Sequence, residues 1–235
     1  MSRSSSTQST RARITRSIAR KDLRIEWNSR ILMNQVAPFA AIVMVLFAFA
    51  LDNDGILQRV APGLVWLATL FSMLVVIQRS FAVESADGAL DALRVAGVDP
   101  VAIFLGKSIA LAVQLLVLEM LLIFTAVVLY TVEMSLAGLG LLVVTVAVAT
   151  VGLAAVGTLY GGLAAGVRGR ETLLPLLLLP VVAPVLIGAT RATESAFGSG
   201  GATIGEGWPW VGLLAVFAVL FVAVGSVAFG PLVDE

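Results

Sequence analysis

The chain has no cysteine, no histidine and little charge. Without cysteine there is no disulfide framework, no thiolate nucleophile and no cysteine ligand for a metal. Without histidine the commonest metal ligand is missing, and so is the usual general base near neutral pH. A haem iron held by an axial histidine of this chain is excluded on the same ground. Charged residues make up 13% of 235, against about 25% in a soluble domain. A water-facing surface cannot be built from so few. Lys and Arg number 15 and Asp and Glu 15, so net charge singles out no partner, nucleic acid included.

Apolar residues fill the gap, at 59% of the chain with a mean hydropathy of +1.03. A helix of about 20 such residues crosses the hydrocarbon core. Six spans meet that requirement, at about 33–51, 60–77, 101–130, 136–166, 172–189 and 210–229. The third and fourth runs exceed a bilayer's need, so tilt, a kink or extension beyond the membrane must absorb the excess. The fold class is an all-α membrane protein whose six-helix transmembrane domain covers 31–230, followed by a short tail at 231–235. The segment Arg191–Gly207 is too small for a core of its own.

Residues 1–10 are rich in Ser and Thr and predict a disordered tail. Residues 11–30 predict a basic helix, with Ile14, Ile18 and Ile25 near helical spacing among seven Lys and Arg. Such a helix lies in the interface, its apolar side in lipid and its basic side toward anionic headgroups. A solvated basic tail that only sets topology is the plainer alternative. A cytoplasmic N-terminus puts thirteen of the 15 Lys and Arg on that side and leaves only Arg59 and Arg191 outside. Both termini are then cytoplasmic in a multi-pass protein of the cell membrane.

No catalytic constellation is present, so the chain reads as non-catalytic. Gly106-Lys107-Ser108 resembles the end of a phosphate-binding loop, but Val101 stands where that loop needs glycine. The segment Phe81–Val95 is charged and helix-compatible, with Glu84, Asp87 and Asp91 on one face, Leu90 and Leu93 on another, and Gly88 between. It suits docking to a soluble partner, and equally a solvated loop helix whose acids keep it in water. Glu119 lies deep in the third run with Gln114 before it. An intramembrane acid is costly and faces the bundle interior. It serves a substrate path or coupling, or else sits near the outer interface. Gly157, Gly161 and Gly162 permit close helix approach. Pro175, Pro180 and Pro184 each remove a helix donor from the fifth span and predict a kink.

Several blocks carry a family resemblance: Lys21-Asp22-Leu23-Arg24-Ile25-Glu26; Arg59-Val60-Ala61-Pro62-Gly63 with Trp66; Arg79, Phe81 and Asp87 to Leu93; Gly106-Lys107; and Gly152 through Arg168-Gly169-Arg170 to Ile187. Together they resemble CcmB, the membrane subunit of the cytochrome c maturation ABC transporter. Leu111-Ala112 stand where members often carry His-Trp. The resemblance implies a type-2 ABC exporter bundle that binds no cofactor and handles haem as cargo. It implies a CcmA-like ATPase, CcmC- and CcmD-like membrane neighbours, a CcmE-like haem chaperone beyond them, and a homodimer within the complex. In that light the ATPase-coupling residues are Phe81, Glu84, Asp87, Gly88, Leu90, Asp91 and Leu93, with Arg168, Arg170 and Glu171 as a second contact. A type-2 exporter of drugs or lipids is the alternative, and a secondary transporter using Glu119 as proton carrier is the third reading.

Overall fold

A computed structural model describes residues 2–30, 32–51, 54–87, 95–132, 134–165 and 170–234. These residues form seven α-helices: α1 (Ser2–Ser29), α2 (Ala37–Ala50), α3 (Asp54–Asp87), α4 (Pro100–Leu129), α5 (Leu136–Ala165), α6 (Arg170–Phe197) and α7 (Ile204–Asp234). Six stretches are long and apolar enough to cross a membrane: one in each helix from α3 to α7, and one made by α2 together with the π-helical turn before it, over Leu32–Ala50. The protein is thus an all-α, multi-pass membrane protein.

Local chemistry sets the helix ends. Asp99 caps α4: its Oδ1 accepts from the Val101 N–H at 3.0 Å, and Pro100 takes the first helical position, where no donor is needed. Gly97, at φ 66°, turns the chain toward that cap in a conformation costly for other residues. The elbow between α1 and α2 is at Arg30, φ 51°. It is tied by the Leu32 N–H, which donates to Glu26 Oε1 at 2.6 Å, and a π-helical turn at Leu32–Val36 leads into α2.

The middle of the bundle is α5, which packs on α3, α4, α6 and α7. Its glycines explain how. A Cβ on Gly157 would lie 2.6 Å from Ile77 Cδ1, and one on Gly161 would lie 2.4 Å from Phe81 Cε2. The glycine spacing therefore seats α3 directly on the α5 backbone. Directed hydrogen bonds hold the other helices. Trp66 Nε1–H donates to Thr193 Oγ1 at 2.9 Å, joining α3 to α6, and the Tyr130 hydroxyl donates to the Met44 carbonyl at 2.8 Å, joining α4 to α2. The outward faces are apolar, with Phe39, Leu46 and Phe49 exposed on α2 and Val216, Val219 and Val227 on α7. Lipid covers such faces at no hydrophobic cost, whereas water would not.

Several boundaries differ from the hydropathy reading. The helix of the second span begins at Asp54, not near 60, and that of the fifth runs to Phe197. The sixth starts at Ile204, so the turn between these two shrinks to 198–203, built on Gly198, Gly200 and Gly201 at positive φ. At the N-terminus the helix extends back to Ser2, where composition predicts a disordered tail over 1–10. Part of the apolar stripe of α1 also turns elsewhere than expected, while Ile25 stays exposed. Ile18 is buried in a cluster with Ile103, Phe104, Leu159 and Phe229, with Ile14 packed against it, and so meets protein instead of lipid.

Candidate functional site

One end of the bundle brings together residues from three of the sequence blocks. On α1, Ile14, Ile18 and Asp22 follow one another at four-residue steps and share a face. That face lies on the start of α4. A Cβ on Gly106 would stand 2.8 Å from Ile18 Cβ and 2.9 Å from the Thr15 carbonyl oxygen, so only glycine admits the α1 backbone here. One turn of α1 beyond Ile18, Asp22 meets Lys107. The Lys107 Nζ donates to Asp22 Oδ2 at 3.3 Å, and both side chains are buried, at 3% and 8% exposure. Lys21 Nζ lies 3.2 Å from the other Asp22 oxygen. Lys107 Nζ also stands over the Phe81 ring, 4.7 Å from its centre, a cation–π geometry that is strongest when desolvated. Removing one member of a buried pair costs about 3–5 kcal/mol, because the other charge stays behind.

A second pair lies three turns earlier on α1. Arg11 Nε donates to Asp99 Oδ2 at 2.5 Å, while the other Asp99 oxygen caps α4. Between α1, α3 and α4 is a cleft of about 60 Å³, lined by Asp22, Glu26, Ser29, Arg79, Ser80 and Gln114 among others. It has room for water, while organic ligands take about 300 Å³ or more. Among the described residues no three Asp or Glu side chains converge as a metal site requires.

The residues expected to matter are placed as follows. Phe81 is buried near the end of α3. Glu84 and Asp87 lie in the last turn of that helix, placed by backbone alone. Gly88, Leu90, Asp91, Leu93 and Arg168 lie outside the described residues, and Arg170 and Glu171 open α6, again by backbone alone. Gln114 and Glu119 are both buried on α4 but serve different contacts. Gln114 lines the cleft, whereas Glu119 faces α5, its Oε2 2.5 Å from Thr150 Oγ1. The described residues give Glu119 Oε1 no partner. Pro175, Pro180 and Pro184 all lie within the unbroken helix α6.

Sequence reasoning passed over the Asp22–Lys107 pair. Two signals were available: an acid on the apolar stripe of α1, and a lysine two turns inside an apolar run. Each calls for a counter-charge, but nothing local says that the two, 85 residues apart, supply it to each other.

Comparison with known proteins bears on the same regions. The family described as CcmB protein matches residues 13–234. Heme exporter protein B of Haemophilus influenzae is 29% identical over 194 residues, covering 82% of this chain and 82% of that protein. Its counterpart in Rhodobacter capsulatus is 32% identical over 170 residues, 68% of this chain and 73% of the relative. The Escherichia coli K12 protein of the same name is 30% identical over 180 residues, 76% of this chain and 81% of its own length.

Proposed function

Because the chain belongs to the CcmB protein family, we propose that it is the transmembrane subunit of an ABC transporter for cytochrome c maturation. It couples ATP hydrolysis by a separate CcmA-like ATPase to haem export or to release of a haem-loaded, CcmE-like chaperone. It hydrolyses nothing itself and holds no cofactor; haem is cargo of the complex. CcmC- and CcmD-like proteins are its membrane neighbours, and two copies flank the transport path. The end of the bundle that carries α1 faces the cytoplasm of a cell-membrane protein, a reading supported by the bias of Lys and Arg.

One observation carries the coupling role. Phe81, the root of the acidic segment between the second and third spans, is buried between Gly161 of α5 and the Lys107 ammonium of α4. A force applied to the segment therefore reaches the centre of the bundle and is not spent in a loose loop. Glu84, Asp87 and Asp91 supply charge for the ATPase surface, with Arg168, Arg170 and Glu171 as a second contact. Glu119, sealed against Thr150, supports the interior packing of this unit better than a proton path.

The test is joint charge reversal, Glu84→Lys, Asp87→Lys and Asp91→Lys, in the chain co-expressed with its ATPase. Membrane insertion is expected to persist while recovery of the ATPase drops by roughly tenfold or more, since rim charges act together on affinity. Undiminished recovery of the ATPase would sink the coupling assignment.

A further inference from the structure

The end of the bundle opposite α1 holds two adjoining clefts that the coupling role leaves unused. The larger, about 590 Å³, opens between the start of α3, the end of α4 and the glycine turn that joins α6 to α7. The smaller, about 450 Å³, lies beside it along the end of α6. Both share Arg59, Ser199, Gly200 and Gly201. Each has room for an organic ligand, which takes about 300 Å³ or more. Two hydrogen bonds frame them: the Ser199 hydroxyl donates to the Gln58 carbonyl at 3.0 Å, and Gln58 Nε2–H donates to the Thr131 carbonyl at 3.3 Å.

Charge picks out one side chain. Of the 15 Lys and Arg, only Arg59 and Arg191 belong to this end, and both line the smaller cleft. Arg191 is paired with Glu194 at 2.8 Å, and the other acid there, Glu206, accepts from the Thr203 hydroxyl at 2.9 Å. Arg59 is exposed and has no ion pair among the described residues. Its Nε lies 3.9 Å from where a Gly200 Cβ would stand, so the side chain leans over the open turn. Among the described residues lining the larger cleft, Arg59 is the only charged one, and Val132 and Phe197 supply apolar wall. A guanidinium offers five donors and no acceptor, in a fork that matches a planar oxyanion.

We propose that the larger cleft binds an amphipathic anion, with Arg59 receiving its carboxylate or phosphate and Val132 and Phe197 meeting its apolar part. Two sources carry that chemistry to this end of the molecule. One is haem, through its carboxylates; the other is an anionic lipid of the outer leaflet, through its phosphate. Recognition through carboxylates asks for no axial ligand, and the chain has no His or Cys to supply one. The haem source rests on reading haem as cargo of the complex, whereas the lipid source does not.

The full chain in phosphatidylcholine nanodiscs is titrated with protoporphyrin IX, the iron-free dicarboxylic acid, and with its dimethyl ester. Binding is read by fluorescence anisotropy as the excess over empty nanodiscs. In nanodiscs containing phosphatidylglycerol, native mass spectrometry counts the lipid retained on the released protein. Arg59→Gln is the test variant and Arg59→Lys the conservative one. Arg191→Gln with Glu194→Gln removes the neighbouring pair at constant net charge and is the control. Arg59→Gln is expected to weaken binding of the diacid, or retention of the lipid, by roughly tenfold or more, while Arg59→Lys keeps part of it. The control is expected to stay within about twofold of the parent. Loss of diacid binding with Arg59 identifies haem carboxylates as the source, and loss of retained lipid alone identifies the lipid. Equal diacid binding and lipid retention in the parent and Arg59→Gln overturns the site. So does an ester that binds as tightly as the diacid with no lipid retained, and so does an equal loss in the control. Failure of the charge-reversed Glu84, Asp87 and Asp91 variant to release the ATPase would sink the coupling role and leave these outcomes unchanged.

Discussion

Thr150 has one hydroxyl hydrogen and two close oxygens. Its Oγ1 lies 2.6 Å from the Val146 carbonyl and 2.5 Å from Glu119 Oε2. A carbonyl can only accept, so the threonine hydrogen belongs to Val146. The hydrogen on the other contact then comes from Glu119, which is a neutral carboxylic acid donating to threonine. This arrangement avoids an uncompensated charge among apolar helices. Glu119→Gln keeps a donor in the same place and is expected to leave stability within about 0.5 kcal/mol of the parent. Glu119→Ala is expected to lose about 1–2 kcal/mol in detergent unfolding, since an interhelical hydrogen bond disappears. Equal losses in the two variants would refute the assignment. The burial of Glu119 was legible from the apolar run around it. Its partner was not, because a threonine in a membrane helix commonly satisfies itself on its own backbone, as Thr145 does on Leu141 at 2.8 Å.

Among the helices, α5 decides how the bundle packs. Gly161 sits under Phe81 and Gly157 under Ile77. Gly161→Ala is expected to cost about 1–3 kcal/mol, the usual penalty for overfilling a packed core. Phe81→Leu should recover part of that loss by making room, and a double-mutant cycle of unfolding free energies measures the coupling. Strict additivity of the two changes would mean that α3 and α5 do not touch there. Hydropathy located every span but misplaced several ends. Polar residues mark where an apolar run stops, and helices need not stop with it. In α3 the first turns include Gln58 and Arg59; Gln58 Nε2–H donates to the Thr131 carbonyl at 3.3 Å, and the Ser199 hydroxyl donates to the Gln58 carbonyl at 3.0 Å. In α6 the helix continues past Arg191, which pairs with Glu194 at 2.8 Å, because Ala192, Thr193 and Ala196 are still buried.

For the whole molecule, span number followed from the apolar runs and helical class from composition, because lipid allows few alternatives to helices. The assembly of the candidate site did not follow. It depends on Asp22, Phe81, Asp99 and Lys107 meeting across three helices, and no local periodicity encodes such a meeting. Orientation rests on charge counting and can be measured directly. A single cysteine at Arg20 or at Gly198, placed in a chain that has none, reports the side of the membrane on which it lies. An impermeant thiol reagent added outside intact cells is expected to label position 198 and spare position 20. The reverse pattern would invert the molecule and with it the assignment of the ATPase-facing end.

The pairing of Asp22 with Lys107 also has a consequence in time. The ribosome makes α1 85 residues before the lysine that holds it. At about 5–20 residues per second, the first helix waits several seconds for its seat. Through that interval the bilayer surface suits the apolar side of Ile14 and Ile18. The amphipathic pattern of α1 thus suits two successive neighbours, lipid during synthesis and the third span afterwards.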